Sequence, residues 1–381
     1  MNGTQHHIYS ATKNDLPAQN ASQVAGLSTV LQWRSQMQHA WGLEARGRDY
    51  ADDAALETAI DLYRTRVLAL APKTERPDDW ATTQHRLGNA LGALGQRQRG
   101  TRLLEQAIAV LQAALSVRSR EHSPLEWAAT QNSLGNTLGV LAQRCADTEM
   151  LEKSVAALQS ALEVRSREHT PQDWAVTQNN LAAALLALGQ RKKDKTLLKQ
   201  STDAYKNVLR VWTRERVPLE WATTLDNLGT ALRLLGEHRK GPRTLEQAVA
   251  AYKSALAERS RAQVPQAWAL TQNNLGAALH KLGERQRDTQ ALAAAIEAYE
   301  NALQEWTRER APMTWAMTLA NLCAARKQLA ELEGDIELVR RVLTDFDAVA
   351  SVFRNASHAQ YYELVTEQVA LTRKLEQTLQ A

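Results

Sequence analysis

The sequence predicts an all-α solenoid, in which antiparallel helix pairs stack one after another. Tryptophan recurs every 47 residues, at Trp33, Trp80, Trp127, Trp174, Trp221, Trp268 and Trp315. Alanine, leucine, glutamate, glutamine and arginine dominate, and all five favour helices. Only two phenylalanines occur among 381 residues. A fixed period of this length is typical of one supersecondary unit that is copied along the chain.

The chain before Trp80 differs from the repeats that follow it. Residues 1–22 are polar and lack helical periodicity, so we predict a flexible N-terminal arm. Residues 23–79 carry two helical patterns and Trp33 but no Leu-Gly step, which predicts an atypical first helix pair. The terminal repeats of a solenoid have to differ from the others, because one of their faces meets water.

Five regular repeats are predicted over residues 80–314. A proline stands three residues before each of their tryptophans, and proline suits the first turn of a helix. The first helix of most repeats contains a Leu-Gly step, and a glycine there costs about 1 kcal/mol against alanine. We therefore expect close approach of the partner helix at these glycines: Gly88, Gly135, Gly229 and Gly276. A charged link and a second helix complete each unit.

The repeat pattern changes towards the C-terminus. Residues 315–353 predict a shortened sixth repeat, with a break at 333–335 and without the long charged link. Residues 354–381 predict a C-terminal capping helix that presents a polar face to water. The prediction is therefore about seven helix pairs and one capping helix.

Composition excludes several classes of protein. The formal charge of +4 and the pI near 9.0 fall short of what dedicated nucleic-acid-binding proteins carry. Cys145 and Cys323 occupy unmatched repeat positions, which favours a reducing compartment. The sequence contains no run long enough to span a membrane and no signal-peptide core, so we expect a soluble cytoplasmic protein. It contains no catalytic motif and no metal-ligand spacing, so we predict a non-enzymatic protein without cofactors.

The order of small and apolar residues within one repeat is specific. The Trp80 repeat contains Leu87-Gly88, Leu91, Gly95, Ala107, Leu111 and Ala114. This order resembles the tetratricopeptide repeat family, in the long, Trp-anchored variety common in bacterial proteins. The family's usual unit is about 34 residues long, and we expect the additional residues at helix ends and links. The resemblance implies a right-handed superhelix whose first helices line a concave groove that captures peptides or proteins.

Polar residues recur around the leucine of each Leu-Gly step, where the resemblance places the groove. The position two before it holds His85, Asn132, Asn179, Asp226 and Asn273. The position one before it holds Arg86, Ser133, Asn180, Asn227, Asn274 and Asn321, and the position two after it begins with Asn89 and Asn136. Asparagine is a mediocre helix former, and its amide has both donors and an acceptor. Two interpretations stay open: the amides hold the backbone of an extended peptide, or each bonds to a neighbouring helix and sets the register.

Arginine forms a second row, at Arg118, Arg120, Arg165, Arg167, Arg214, Arg216, Arg259, Arg261, Arg308 and Arg310. Regularly spaced arginines suit a phosphate backbone. Neighbouring glutamates and the helix dipole favour the other interpretation, that of solvated helix ends with salt bridges. The tryptophans are expected to wedge against the second helix of the preceding unit, with Trp212 and Trp306 packing beside them.

The sequence as a whole predicts a protein–protein interaction scaffold that binds an extended peptide or a segment of a partner protein. The asparagines are expected to grip main-chain amides, while His85, Arg86 and Asn89 add side-chain selectivity. Two alternatives remain. One is a nucleic-acid-binding solenoid that uses the arginine row, and the other is a self-associating scaffold, a homo-oligomer or a groove filled by the chain's own arm.

Overall fold

The computed structural model describes residues 18–356 and 358–381, and the regular secondary structure of these residues is entirely helical. The prediction of an all-α fold is confirmed. The helices are α1 Ala18–Asp49, α2 Asp53–Leu62, α3 Pro77–Arg97, α4 Arg102–Leu115, α5 Pro124–Cys145, α6 Thr148–Leu162, α7 Pro171–Lys192, α8 Lys195–Val208, α9 Pro218–Glu237, α10 Arg243–Leu256, α11 Pro265–Gln286, α12 Thr289–Leu303, α13 Pro312–Glu333, α14 Ile336–Asn355 and α15 Ala359–Gln380.

The chain forms two compact units, one that ends at Leu141 and one that begins at Ala142. In the first unit, α1 packs against α2, and α3 packs against α4. In the second unit, every helix from α6 to α15 packs against the next one along the chain. This succession of neighbours, without contacts between distant helices, is the packing of a repeat protein.

The residues at the helix starts explain why the pairs form. The first helices from α3 to α13 begin at prolines 47 residues apart: Pro77, Pro124, Pro171, Pro218, Pro265 and Pro312. Four second helices begin after an aspartate whose carboxylate accepts hydrogen bonds from backbone N–H groups of the first turn: Asp147, Asp194, Asp288 and Asp335. Such N-caps satisfy backbone donors that have no partner within the helix.

The links between paired helices are shorter than predicted. The charged segment from Gln190 to Lys195 belongs mostly to helices, and only Lys193 and Asp194 connect α7 to α8. Gly334 and Asp335 make the same two-residue connection between α13 and α14, which contain 22 and 20 residues. The pair that we predicted as a shortened repeat therefore has helices and a link at least as long as those of α7 and α8.

The glycines of the Leu-Gly step lie against the second helix of their own pair, as predicted for three of the four. A Cβ atom on Gly88 would lie 2.6 Å from Cγ of Leu111. On Gly229 it would lie 2.7 Å from Cε1 of Tyr252, and on Gly276 it would lie 2.9 Å from Cδ1 of Tyr299. Tyr252 and Tyr299 are fully buried, so the absence of a side chain on the first helix makes room for a large ring on the second.

The two ends of the chain depart from the regular pattern. Most of the predicted arm lies outside the described residues, and its last five residues, from Ala18, belong to α1. The last turns before Pro72 are a π-helical segment, Tyr63–Val67, and a 3₁₀ segment, Leu68–Leu70. At the other end, α15 packs against α14, and the rings of Phe353 and Tyr361 stack with 5.3 Å between their centroids. Among the described helices, none is both long and apolar enough to cross a bilayer.

Candidate functional site

The candidate residues lie on the first helices, next to buried leucines that anchor each helix in the core. Leu181, Leu228, Leu275 and Leu322 are at most 8% exposed. Of the polar candidates beside them, most are half-buried, Asp226 is buried and Asn321 is exposed. In the second unit, we call the asparagine face the set formed by Asn179, Asn180, Asn227, Asn273, Asn274 and Asn321.

The candidates of the first unit divide into two groups. The side chains of His85 and Asn89 lie one turn apart on α3, with 3.1 Å between His85 Nε2 and Asn89 Nδ2. His85 Nδ1 also lies 3.3 Å from Oγ1 of Thr130. Arg86 instead lies near α1, where its guanidinium covers the ring of Trp41 at 4.5 Å. Asn132 and Asn136 lie further along, on α5, and are half-buried.

Arg86 also takes part in a buried charge cluster that the sequence did not reveal. Glu44 is 1% exposed, accepts a 2.9 Å hydrogen bond from the hydroxyl of Tyr63, and has one carboxylate oxygen 3.9 Å from Nη1 of Arg86. Burial raises the pKa of Glu44, and the positive charges of Arg86 and Arg48 oppose that shift. The cluster holds α1 against α3, so the position of Arg86 is set by the core.

In the second unit, Asn274 of the asparagine face is bonded to the neighbouring first helix. Asn274 Nδ2 on α11 donates to Oδ2 of Asp226 on α9 over 3.4 Å, and Nη1 of Arg259 lies 3.8 Å from the other carboxylate oxygen. Burial raises the pKa of Asp226, while hydrogen bonds from Thr271 and Asn274 and the charge of Arg259 oppose that shift. Asn274 therefore fits the interpretation in which an asparagine bonds to a neighbouring helix.

Two other asparagines of the face do not fit the register interpretation. The Oδ1 atoms of Asn179 and Asn273 are buried and have no hydrogen-bond partner in the part of the chain that the structure describes. A buried acceptor without a partner costs about 1–3 kcal/mol. These amides therefore cost stability at their present positions, instead of locking one helix to the next.

Exposed apolar side chains accompany the asparagines. Val176, Leu270 and Met317 are 38%, 46% and 45% exposed. Each stands four residues before an asparagine, on the same side of its helix: Asn180, Asn274 and Asn321. Amides and exposed apolar side chains therefore lie on the same side of these three helices.

The arginine row is only partly a set of solvated helix ends. Arg118, Arg165 and Arg259 are 7% exposed, which contradicts that expectation for these three. Each donates through Nη1 to the hydroxyl of a buried threonine twelve residues later, over 2.7–2.8 Å: Thr130, Thr177 and Thr271. Arg118 and Arg259 also donate to Thr82 and Thr223 of the preceding first helix. We call these contacts the arginine staples.

The staples tie consecutive first helices together through the end of the second helix between them. Arg259, for example, follows α10 and bonds to both α9 and α11. Burial lowers the pKa of Arg118, Arg165 and Arg259. The available sequence signal was the constant twelve-residue spacing from each arginine to its threonine. The exposed Arg214 and Arg261 do form ion pairs, with Glu258 and Glu305 of the next repeat.

Trp174 and Trp268 pack within their own helix pair, which corrects for these two the expectation that the tryptophans wedge against the preceding unit. Trp174 packs with Val208, Val211 and Trp212, all at the end of the second helix of its own pair. Trp268 packs with Ala302 and Trp306 in the same way. The packing of Trp212 and Trp306 beside the column is confirmed. Because these rings pack between the two helices of a pair, they are not free to stack on a ligand.

Two segments of the chain are similar to a known family of repeats. Residues 80–123 and 268–305 match the sequence profile of the family described as tetratricopeptide repeat. No curated protein sequence matches the chain. The predicted tetratricopeptide repeats are therefore confirmed at these two segments, and the chain is an all-α protein that contains tetratricopeptide repeats.

Three solved structures resemble the chain at low sequence identity. One is a Rap protein complexed with competence and sporulation factor, which is 13% identical, has a TM-score of 0.41 and covers 93% of this chain and 99% of its own. Another is a circular tandem repeat protein with novel repeat topology, which is 16% identical, has a TM-score of 0.32 and covers 94% of this chain and 98% of its own. The third is the TPR2AB-domain:pHSP90-complex of yeast Sti1, which is 17% identical, has a TM-score of 0.25 and covers 87% of this chain and 98% of its own.

Proposed function

We propose that this protein is a protein–protein interaction scaffold and that the asparagine face binds an extended segment of a partner protein. The observation that carries the proposal is the pair of buried, unpartnered Oδ1 atoms on Asn179 and Asn273. Helix packing does not require these amides, since they cost stability where they stand. A role in binding a partner accounts for the presence of these asparagines at equivalent positions of two repeats.

The chemistry of the face defines the ligand. Amide groups pair with the N–H and C=O groups of a main chain without reading its sequence. The exposed side chains of Val176, Leu270 and Met317 add apolar contact, so the bound segment carries apolar residues at intervals. The family match is consistent with a peptide-binding role, and Rap and Sti1 are named in complex with a factor and with pHSP90, respectively.

The test uses a library of random twelve-residue peptides, displayed and selected on the immobilised full chain. Selected peptides are measured by fluorescence anisotropy against the wild type and against the triple variant Asn179→Ala, Asn227→Ala and Asn273→Ala. We expect the triple variant to bind about 10- to 1,000-fold more weakly, since three hydrogen bonds of about 0.5–1.5 kcal/mol each are lost. The matched control replaces Asn207 and Asn301, on the second helices α8 and α12, and should bind like the wild type.

A second arm separates backbone recognition from side-chain recognition. Methylation of single amide nitrogens in the selected peptide removes main-chain donors and keeps every side chain. The methylated peptide should bind the wild type more weakly but bind the triple variant with no further loss, because the hydrogen bond is already missing there. Equal affinity of the wild type and a correctly folded triple variant would refute the role of the asparagines.

A further inference from the structure

A cationic crevice lies in the second unit, away from the asparagine face. It has a volume of about 300 Å³ and lies between the second helices α8 and α10, with the end of α9 as its third side. Four cationic side chains line it, Lys199, Lys206, Arg239 and Arg243, together with one carboxylate, Asp203. Asp203 already forms an ion pair with Lys199 over 2.9 Å. The lining therefore carries an excess of three positive charges.

Three residues that line this crevice differ from their counterparts in other repeats, although a crevice that contains Arg102 and Leu103 lies at the equivalent position of the first unit. Lys199 occupies a position that holds glutamate in three other second helices: Glu105, Glu152 and Glu246. Thr202 occupies a position that is otherwise branched and apolar: Ile108, Val155, Val249 and Ile296. Thr244 replaces the large apolar residues of three other repeats: Leu103, Met150 and Leu197. Three exchanges towards positive charge or polarity thus meet in one cavity.

The two threonines are buried in the walls of the crevice. Thr202 is 2% exposed and Thr244 is 5% exposed. Thr202 donates to the carbonyl oxygen of Leu198, and Thr244 accepts a 3.2 Å hydrogen bond from Nη1 of Arg239. A threonine in place of a valine or leucine gives up apolar burial in a core, which costs stability. The exchange makes polar a wall that is apolar at the same positions of other repeats.

Two of the cations have no counter-charge. Lys206 and Arg243 form no ion pair with any described residue of the chain. Arg243 is also the first residue of α10, where the positive end of the helix dipole disfavours a cation. The aspartate cap of other second helices is replaced here by Gly241, so Glu246 is the acidic residue of the first turn. An anion bound in the crevice would balance the positive charges of Lys206 and Arg243.

We propose that this crevice binds a small ligand that carries two or more phosphate groups. One phosphate group carries a charge of about −1.5 to −2 near neutral pH, so two of them balance the excess of three positive charges. The lysines supply point charges, the arginines supply planar N–H forks, and the threonine hydroxyls line the walls. A volume of about 300 Å³ is in the range of small-ligand sites.

The test is isothermal titration of the full chain with inorganic pyrophosphate, without divalent cations and at constant ionic strength. We expect saturable binding by the wild type and at least tenfold weaker binding of orthophosphate. Lys206→Gln with Arg243→Gln should weaken pyrophosphate binding at least tenfold. Equal affinity for the two anions would overturn the assignment to ligands with several phosphates.

The repeats provide a variant that tests the site without a loss of stability. Lys199→Glu, Thr202→Val and Thr244→Leu together restore the residues of other repeats, so this variant should fold at least as well as the wild type and should not bind pyrophosphate. The matched control is Arg102→Gln, at the position equivalent to Arg243 on α4, and its affinity should stay within twofold of the wild type. Binding that survives in the restored variant, or that is lost equally in the control, would refute the site, as would no binding by the wild type.

Discussion

At the scale of single residues, the asparagine face carries groups that the fold does not need. Asn179 and Asn273 each bury an Oδ1 atom that has no partner, whereas Asn274 bonds to Asp226. The two classes of asparagine should therefore respond in opposite ways to truncation. Their responses distinguish a ligand-binding role from a register role without requiring that the ligand be known.

We expect Asn179→Ala and Asn273→Ala each to raise the free energy of unfolding by about 0.5–1 kcal/mol, since alanine favours the helix and leaves no unpaired acceptor. Asn274→Ala should lower it, because the hydrogen bond to Asp226 is lost. Urea unfolding followed by circular dichroism measures all three. A loss of stability in the first two variants would favour the register interpretation for these positions.

Asp226 should make stability depend on pH. Because burial raises its pKa in the folded state above the ordinary value of 3.8, the folded protein holds the proton more tightly than the unfolded chain. Its stabilising effect is therefore complete below that value and is lost as the pH rises through the raised pKa. Asp226→Asn removes the ionisation, so we expect a gain of about 1 kcal/mol at pH 7 that fades below about pH 4.

Urea unfolding of Asp226→Asn at several pH values provides the measurement. Asp347→Asn, which changes an exposed carboxylate on α14, is the matched control and should give a small difference that does not vary with pH. If Asp226→Asn loses stability at neutral pH, the attraction of Arg259 outweighs the cost of burying the carboxylate.

At the scale of helices, the links between paired helices and the arginine staples both contribute to the free energy of unfolding. Lys193, in the link from α7 to α8, has φ of +52°, and Gly334 has φ of +69° at the equivalent position of the last pair. Left-handed backbone costs a residue other than glycine about 1–2 kcal/mol. Glycine at the last link shows which residue the turn favours.

We expect Lys193→Gly to raise the free energy of unfolding by about 0.5–1 kcal/mol, and Gly334→Ala to lower it by about 1 kcal/mol. A Cβ atom on Gly334 would meet no atom within 4 Å, so the loss would come from the backbone alone. Thermal melts of both variants measure the effect. If the two free energies of unfolding change in the opposite directions, the turn relaxes to another conformation in these variants.

The arginine staples are expected to matter more than the exposed ion pairs. Arg259→Ala should cost about 2–3 kcal/mol, because two hydrogen bonds and the packing of a buried side chain are lost. Arg214→Ala breaks the ion pair of an exposed arginine with Glu258 and should cost less than about 1 kcal/mol. Urea unfolding compares the two. Equal losses would show that the staple adds nothing beyond an ordinary surface contact.

At the scale of the whole molecule, the distribution of charge bears on the nucleic-acid alternative. Of the arginines proposed to follow a phosphate backbone, Arg118, Arg165 and Arg259 are buried, and Arg214 and Arg261 are paired with glutamates. With Arg167, which lies 3.8 Å from a carboxylate oxygen of Glu168, six of the ten arginines in the row are buried or paired. The net charge of +4 is small for a chain of 381 residues.

We therefore expect random single- or double-stranded oligonucleotides to bind no more tightly than about 1 µM at physiological salt, in the range of non-specific binding. Fluorescence anisotropy at several salt concentrations measures this. Tighter binding with a steep salt dependence would restore the nucleic-acid alternative, and the exposed arginines would then be the residues to replace.

The periodic features of this protein were predictable from its sequence. The constant spacing of prolines, tryptophans and Leu-Gly steps repeats one set of local instructions, so helix type and the glycine contacts at Gly88, Gly229 and Gly276 followed from sequence. The lengths of the links did not, because charged residues such as Arg191 and Lys192 are good helix formers and continue the helix. Composition alone could not place the helix ends.

Sequence by itself thus determined the fold class, the repeat positions and the candidate rows, since all three depend on local periodicity. Only the tertiary structure decided which polar groups are buried and which are paired. Arg118 and Arg120 look alike in sequence, yet Arg118 is buried against two threonines. Burial and pairing depend on residues brought together from different helices, which no single window of the chain contains.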